Sequence, residues 1–276
     1  MIRVRQNLHT HTSYCDGKNT AEEMVQSAIG KGLCSIGFSG HAFTPHDTSY
    51  CMSRDNTIRY AEELNRLKEK YKGTIKIYTG LEQDYFSVPP FIETDYLIGS
   101  VHYVVKDGEY IPVDETKEII MLAAERLYGG DIYAFLEDYY KQEKDVYNKT
   151  KCDIVGHFDL CEKFNADGSL FDSAHPRYVK AWKTALETLV KQGIIFEINT
   201  GAMSRGYTKC PYPKADILKE ISRLGGKICV SSDSHDADTV NYKLDEMSDL
   251  AAECGFGEIW VLTDRGFGAT PLGDIC

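Results

Sequence analysis

Several features that define other classes of protein are missing from this sequence. Its longest apolar runs, such as residues 119–124 (IIMLAA), are far too short to cross a bilayer. The first ten residues, MIRVRQNLHT, lack the apolar core of a secretory signal. No GxxxxGK(S/T) phosphate loop and no serine nucleophile elbow occur. These absences argue against a membrane protein, a P-loop enzyme and a serine hydrolase.

Positive charge is also scarce. The chain has 31 Lys and Arg residues but 42 Asp and Glu residues, which gives a formal net charge of −11. Nucleic-acid and anionic-membrane surfaces need clustered Lys and Arg, so we expect no nucleic-acid partner and no membrane partner. A small phosphorylated metabolite stays compatible with this charge, provided that metal ions supply positive charge locally. The nine cysteines are odd in number and include no CxxC pair, so reduced thiols in a cytoplasmic protein are expected.

Short apolar runs alternate with helical patterns along the chain. The predicted strands cover residues 2–10, 33–38, 75–79, 95–101, 152–156, 194–198, 227–231 and 258–262. Between them, Thr20 and Glu23 form a capping box, and the 3.6-residue period of a helix recurs near 61–71, 178–190 and 217–224. This alternation predicts an α/β fold with parallel strands inside, best accommodated as one closed barrel domain over residues 1–276. Residues 112–150 interrupt the pattern and predict an inserted pair of helices.

Six of the eight histidines share one position in this pattern, just after the C-terminal end of a predicted strand. Three carboxylates follow the same strands or lie in the first loop. The nine residues are His9, His11, Asp16, His41, Glu82, His102, His157, Asp233 and His235. Any one of them alone is better interpreted as a structural residue. Because the C-terminal ends of barrel strands converge on one face, the set as a whole predicts a multinuclear metal site.

These motifs resemble those of the PHP (polymerase and histidinol phosphatase) superfamily, and their order is most similar to its histidinol-phosphatase branch. The similarity runs from residue 7 to about residue 240. The motifs are HTH at 9–11, GHA at 40–42, GLE at 80–82, GSVH at 99–102, GHFD at 156–159 and SDSH at 232–235. The resemblance implies a distorted (β/α)7 barrel, with the helical insertion around 112–150, and three divalent metal ions.

The resemblance also implies which residue holds which ion. His9, His11, Glu82 and Asp233 would hold the first ion. Glu82 would bridge to a second ion held by His102 and His157, and Asp16, His41 and His235 would hold the third. Zinc, iron and manganese all suit imidazole and carboxylate ligands, so the identity of the metal stays open. The excess positive charge favours a phosphate dianion, with a metal-bridging hydroxide attacking phosphorus.

Two cations in neighbouring loops are candidate phosphate ligands. Arg205 is favoured because a planar guanidinium suits bidentate contact with phosphate, whereas Lys163 is equally compatible with an ordinary surface lysine. Asp233, His235 and Arg205 are the predicted catalytic residues. Substrate contacts are predicted at Arg205, Lys163, Asp84 and His46, with Tyr85, Asp159 and the 43–50 loop nearby. His46 also fits a solvated loop residue, and Asp84 also fits a partner that orients a metal-bound imidazole.

The predicted activity is that of a histidinol-phosphatase, a phosphoric monoester hydrolase that releases L-histidinol in histidine biosynthesis. One alternative is a PHP phosphoesterase acting on a sugar phosphate, a nucleoside or nucleotide phosphate, or a cyclic phosphodiester. Polymerase-associated editing is disfavoured by the acidic charge and by the lack of a polymerase module. A metal-dependent binding or sensor protein without turnover is the alternative from another class.

Overall fold

The computed structural model describes residues 4–272. The predictions for the first strand and for a single domain over residues 1–276 also include residues 1–3 and 273–276, which lie outside the described residues. Within the described range the strands are β1 Gln6–Asn7, β2 Ser35–Phe38, β3 Lys76–Asp84, β4 Tyr96–Ser100, β5 Tyr103–Lys106, β6 Glu109–Pro112, β7 Ile154–Val155, β8 Ile195–Asn199, β9 Lys227–Ser231, β10 Glu258–Thr263 and β11 Gly266–Pro271.

Seven of these strands form a parallel sheet in the order β1-β2-β3-β4-β7-β8-β9. The sheet curls until its two edge strands meet just beyond their C-terminal ends. There the N–H of His11 donates to the carbonyl of Ser234 at 2.8 Å, and the N–H of Ser234 donates to the carbonyl of His9 at 3.1 Å. The result is a nearly closed seven-stranded barrel, which confirms the predicted fold class.

The interior of the barrel is filled by large side chains. Tyr96 occupies its centre, next to Leu8, Tyr78 and Ile98. Glycines on β2 and β3 make room for the ring, since a Cβ on Gly37 or Gly80 would lie 2.4 or 2.5 Å from Tyr96 atoms. The Tyr96 hydroxyl donates to the carbonyl of Leu8. The barrel is therefore solid beneath its C-terminal end, as close packing of a protein core requires.

The predicted strand at 258–262 exists, but it lies outside the parallel sheet. It forms an antiparallel hairpin, β10–β11, whose second strand had no sequence pattern that predicted it. The amide of Gln6 exchanges two hydrogen bonds with the backbone of Leu262, at 2.9 and 2.8 Å, and the Tyr78 hydroxyl donates to the same carbonyl at 3.0 Å. The hairpin thus covers the N-terminal end of the barrel, opposite the histidines.

Helices surround the barrel. They are α1 Ala21–Gly30, α2 Arg54–Lys70, α3 Lys117–Tyr128, α4 Ile132–Thr150, α5 Pro176–Lys191, α6 Gly201–Ser204, α7 Ala215–Arg223 and α8 Leu244–Glu253. The predicted capping box is present at the start of α1, where Thr20 and Glu23 bond each other's backbone.

Among the described residues, no helix combines the length and apolarity needed to cross a membrane. Within residues 4–272 seven cysteines are free, as expected for them: Cys15, Cys51, Cys152, Cys161, Cys210, Cys229 and Cys254.

The predicted pair of helices within 112–150 is present as α3 and α4, preceded by the hairpin β5–β6 that the sequence did not predict. The prediction that both helices lie outside the alternation is only partly right. Helix α4 buries one face, including Phe135, Leu136 and Tyr139, and packs along α5 and β4. It therefore acts as the crossover helix between β4 and β7, and the added structure is the hairpin together with α3.

Candidate metal centre

The motif HTH at residues 9–11 joins the barrel edge to the site. Both imidazoles are buried, with ring centroids 5.2 Å apart, because alternate residues of an extended segment share one side. Thr10 points the other way, and its hydroxyl donates to the carbonyl of Gly37 at 2.7 Å while its N–H donates to Ser39 Oγ at 3.1 Å. The threonine therefore fixes the segment to the strand beside it and holds both rings over the end of the barrel.

The carboxylate of Glu82 lies at the centre of the site and is buried. Its Oε2 atom is 3.2 Å from His9 Nε2, 3.4 Å from His11 Nε2 and 3.1 Å from His41 Nδ1. Its Oε1 atom is 3.0 Å from His157 Nε2 and 3.5 Å from His102 Nε2. One carboxylate oxygen thus faces three imidazoles and the other faces two, which is the arrangement expected of a carboxylate that bridges two ions.

Ligand atoms converge within 4.8 Å of one another in three groups. The groups are His9, His11 and Asp233; His11, Asp16, His41 and His235; and His41, Glu82 and His102. The structure therefore brings the nine predicted residues to one place. It differs from the predicted partition in three respects, since His11 and His41 each belong to two groups, Glu82 belongs to one group instead of two, and His157 belongs to none. His157 still contacts Glu82 directly.

The donor set fits metal ions. Four buried ring nitrogens have no hydrogen-bond partner among the described residues, namely Nε2 of His9 and His11 and Nδ1 of His41 and His157. Unpaired buried polar atoms are rare in proteins. For His9, His11 and His41 the unpaired nitrogen is the one that faces Glu82, and a metal ion that accepts its lone pair would explain it. His157 faces Glu82 with its other nitrogen, Nε2. Burial lowers the pKa of His11 to about 3, which keeps its imidazole neutral, as coordination requires.

The carboxylates of the site are ionised. Burial opposes ionisation of Glu82, but His41 and His9 hold its pKa well below the ordinary value. Burial likewise lowers the pKa of His102, yet contacts with Asp84 and Glu82 outweigh it and raise that pKa to about 10. Without cations the carboxylates thus retain protons on some imidazoles. Metal binding would release those protons, since a coordinating imidazole must be neutral.

Two buried carboxylates orient the imidazoles from behind. Glu197 on β8 lies 2.9 Å from His9 Nδ1 through its Oε2, and its Oε1 accepts the backbone N–H of His157 at 2.8 Å. Asp84 Oδ2 lies 3.2 Å from His102 Nδ1. Glu197 was not predicted from the sequence. The one indication was an acidic residue inside the otherwise apolar run IIFEI, where burial of a charge needs a specific partner.

Asp233 has a strained backbone, with φ of 47° in the left-handed region that non-glycine residues rarely adopt. Gly201, at the start of α6, leaves room for the Asp233 side chain beside the neighbouring strand end. A Cβ at Gly201 would lie 2.5 Å from Asp233 Oδ2. Strain of this kind is found where the surrounding structure fixes a functional group. Here it aims the Asp233 carboxylate at His9 and His11.

A cavity of about 390 Å³ opens above this cluster, and Arg205 and Lys163 line it. Arg205 donates from Nη2 to Asp233 Oδ2 at 3.2 Å, and its Nη1 lies 2.9 Å from His235 Nδ1. Lys163 Nζ donates to the carbonyl of Asp114 at 2.6 Å. Other lining residues are Asp16, His41, Asp47, Tyr50, Glu82, His102, Tyr103, Asp114, Glu115, His157, Tyr207, Tyr212, Asp233 and His235.

Four residues that were expected near the substrate do not lie on this wall. Asp84 is buried behind His102, and the His46 ring is stacked on Tyr110 with centroids 3.9 Å apart. The other two are engaged elsewhere: the Tyr85 hydroxyl donates to Asp145, and Asp159 accepts the N–H of Lys214. These positions do not support the prediction that Asp84 and His46 bind substrate. They favour the alternative that Asp84 orients an imidazole.

The fold and the site together define a class of protein, a seven-stranded parallel barrel with a cluster of His, Asp and Glu side chains at its strand ends that could hold metal ions. The chain belongs to the PHP domain family, whose sequence pattern matches residues 7–201. It is 28% identical to the histidinol-phosphatase of Bacillus subtilis over 85% of this chain and 94% of that protein. It is equally identical to the histidinol-phosphatase of Lactococcus lactis, over 94% of each chain.

A solved structure is also similar. It is the histidinol phosphate phosphatase of Lactococcus lactis complexed with zinc, L-histidinol and phosphate. The two chains superpose with a TM-score of 0.68 at 21% identity, over 96% of this chain and 98% of the other. At this level of identity the similarity concerns the fold, and it supports the PHP-type barrel.

We expect Glu197→Gln to weaken metal retention. The amide cannot match a carboxylate as the acceptor behind His9, and loss of such a supporting contact typically lowers metal affinity about 10- to 100-fold. Competition with a chelator, followed by elemental analysis, measures this. Glu143→Gln is a matched control because Glu143 is equally buried, bonds Tyr139, and burial raises its pKa. Equal metal loss in both variants would contradict the assigned role of Glu197.

Proposed function

We propose that this protein is a metal-dependent phosphomonoesterase that hydrolyses L-histidinol phosphate to L-histidinol and phosphate, a reaction of histidine biosynthesis. The observation that carries the proposal is the placement of Arg205 and Lys163 on a cavity whose floor is the His/Asp/Glu cluster. Support also comes from the relatives named as histidinol-phosphatases, and from the related structure whose ligands are zinc, L-histidinol and phosphate.

The charge of the site favours a phosphate dianion. Six neutral imidazoles and three carboxylates around three divalent ions would leave an excess of three positive charges. When bound, divalent ions stabilise charge on phosphoryl oxygens and activate water for attack on phosphorus. We assign the first ion to His9, His11, Glu82 and Asp233, the second to Glu82, His102 and His157, and the third to Asp16, His41 and His235. Zinc, iron and manganese are all compatible with these ligands.

The boundary between the His/Asp/Glu cluster and the cavity is formed by Arg205, Asp233 and His235. The Arg205 guanidinium contacts the side chains of Asp233 and His235, so the three groups are held as a unit. The Arg205 fork can donate to two phosphoryl oxygens, which orients phosphorus over the cluster. We propose that this unit is catalytic. Lys163 then adds positive charge from the loop after β7, the strand that pairs with β8.

The organic part of the substrate would meet carboxylates and aromatic rings. Asp47 and Asp114 lie on the cavity wall, where they replace Asp84 as candidate partners for the ammonium group. Tyr103 donates to Asp47 Oδ2 at 2.7 Å, which fixes this carboxylate in place. Tyr50 and Tyr103 offer aromatic faces to an ammonium or imidazole cation. A neutral sugar cannot pair with these carboxylates, so the amine-bearing ester should be preferred.

The proposed trinuclear centre predicts close to three ions per chain in protein purified without chelator. His102→Ala should lose about one ion. His41→Ala should lose at least one, because its ring belongs to two ligand groups. Elemental analysis measures both, and His175→Ala, whose ring stacks on Tyr133 away from the site, is the control. One ion per chain at full activity is incompatible with three metal positions.

Arg205→Ala should lower kcat/KM for phosphomonoesters. The expected loss of transition-state stabilisation is about 1.5–3 kcal/mol, the typical value of a hydrogen bond to a charged group. Arg205→Lys should recover only part of this, because lysine keeps the charge and loses the planar fork. Metal content should stay at the wild-type level, and Arg223→Ala on the surface pair with Glu220 serves as control. If Arg205→Ala keeps the wild-type kcat/KM, Arg205 does not bind the phosphoryl group and is an ordinary surface cation.

The substrate assignment is tested by kcat/KM for L-histidinol phosphate beside a sugar phosphate and a nucleoside monophosphate at the same metal loading. An unpaired carboxylate costs roughly 1–3 kcal/mol, so we expect at least about a tenfold preference for the amine-bearing ester. Asp47→Asn should reduce this preference more than it reduces turnover of the sugar phosphate. Equal or faster hydrolysis of the sugar phosphate would remove the histidinol assignment and leave a metal-dependent phosphoesterase. No hydrolysis of any ester would favour a binding protein.

A further inference from the structure

Tyr212 differs from the other buried tyrosines of the described residues. Its side chain lines the cavity and is 2% exposed, yet its hydroxyl has no hydrogen-bond partner in the described part of the chain. The seven others each have one: Tyr60, Tyr78, Tyr96, Tyr103, Tyr139, Tyr140 and Tyr178. A buried hydroxyl without a partner is unfavourable, so its retention beside a cavity needs a reason.

The position of Tyr212 is set by the barrel. Its backbone forms two hydrogen bonds with Asn199, the last residue of β8. The N–H of Asn199 donates to the carbonyl of Tyr212 at 2.6 Å, and the N–H of Tyr212 donates to the carbonyl of Asn199 at 3.0 Å. The same strand end leads through Gly201 into α6 and then to Arg205. The tyrosine and the arginine are therefore both fixed relative to one strand, and their side chains line the same cavity. A ligand in that cavity would meet both groups together.

The chemistry of the two groups indicates what that ligand is. Arg205 only donates hydrogen bonds, and the guanidinium and the Tyr212 phenol are close enough to interact electrostatically. Burial raises the pKa of Tyr212 well above its ordinary value, so its hydroxyl stays protonated and able to donate. A group that accepts from a guanidinium and from a phenol at once is an oxyanion. Phosphoryl oxygens meet that requirement.

We propose that Tyr212 is a further catalytic residue, whose hydroxyl donates a hydrogen bond to a phosphoryl oxygen held beside the Arg205 guanidinium. The inference rests on the proposed phosphomonoesterase function and adds a neutral donor to its cationic groups. A donor already aligned in a buried site stabilises developing charge without reorganisation. The competing interpretation is structural. Asp159 Oδ1 is also unpaired and interacts electrostatically with Tyr212, so a water joining the two would satisfy both.

Tyr212→Phe removes only the hydroxyl and separates these roles. In the metal-loaded protein we expect kcat/KM for a phosphomonoester to fall about 10- to 100-fold, the range of one hydrogen bond to a charged group. Affinity for inorganic phosphate, measured by calorimetry, should fall with it. The melting temperature without ligand should be unchanged or higher, because an unpaired buried hydroxyl is removed.

Tyr140→Phe is the matched control, since Tyr140 is fully buried and its hydroxyl is paired with Tyr178 at 3.1 Å, away from the cavity wall. It should melt lower than wild type and keep its kcat/KM. The proposal is overturned if Tyr212→Phe keeps wild-type kcat/KM and phosphate affinity, or if it loses stability as Tyr140→Phe does without losing phosphate affinity. If wild type hydrolyses no phosphomonoester, the proposed function fails, while the phosphate titration still decides whether Tyr212 binds the anion.

Discussion

A single buried carboxylate, Glu82, organises the functional end of this barrel. Five imidazoles lie within 3.5 Å of its two oxygens. Taking an ionised group out of water is costly unless opposite charge and hydrogen bonds surround it. Here three of the five rings, those of His9, His11 and His41, turn toward it a nitrogen that has no hydrogen-bond partner among the described residues. The cluster is therefore incompletely balanced by protein atoms. Metal cations would supply the missing charge and occupy the lone pairs, which makes the centre and the fold of the strand ends mutually dependent.

The rigidity of the centre comes from where its residues are attached. Except for Asp16, which is in the first loop, the candidate ligands lie at the C-terminal ends of the strands or within a few residues of them. The barrel beneath them is filled by Tyr96, whose ring packs against two glycines. Closure of the barrel runs through the site itself, because the backbone bonds between the first and last strands involve His9, His11 and Ser234. Sites built on regular elements hold geometry more closely than sites on free loops. The lysine and acidic groups of the cavity are on longer loops, where variation is tolerated.

The sequence was sufficient to predict the barrel strands, because short apolar runs alternate with helical patterns along the chain. It was also sufficient to predict that the nine site residues converge, because most of them directly follow predicted strands. The sequence was insufficient where strand register or tertiary packing determines which way a side chain points. Glu197 has no motif around it, and only the pairing of β8 shows that it faces His9. Asp84 lies two residues after Glu82, so sequence alone could not separate a carboxylate facing the cavity from one behind His102. The hairpin β10–β11 forms through contacts with the end of the barrel that no local pattern encodes. The hairpin β5–β6 turns at Asp107 and Gly108, a local hairpin signal that the prediction missed, and Gln142 of α4 bonds its first strand.

The cavity has two chemically different sides, and their origins in the chain differ. Arg205 and Tyr212 follow β8, a strand of the barrel, and would bind the phosphoryl group that every substrate of this chemistry shares. Tyr103 and Asp114 come from the β5–β6 hairpin and the loop after it, which are additions to the (β/α)7 pattern. Asp47, on the 43–50 loop, is held by Tyr103 from that same hairpin. If the proposed function holds, the barrel supplies the reaction and the insertion supplies the selectivity. Exchange of the insertion would then change the preferred leaving group while phosphate binding at β8 is retained.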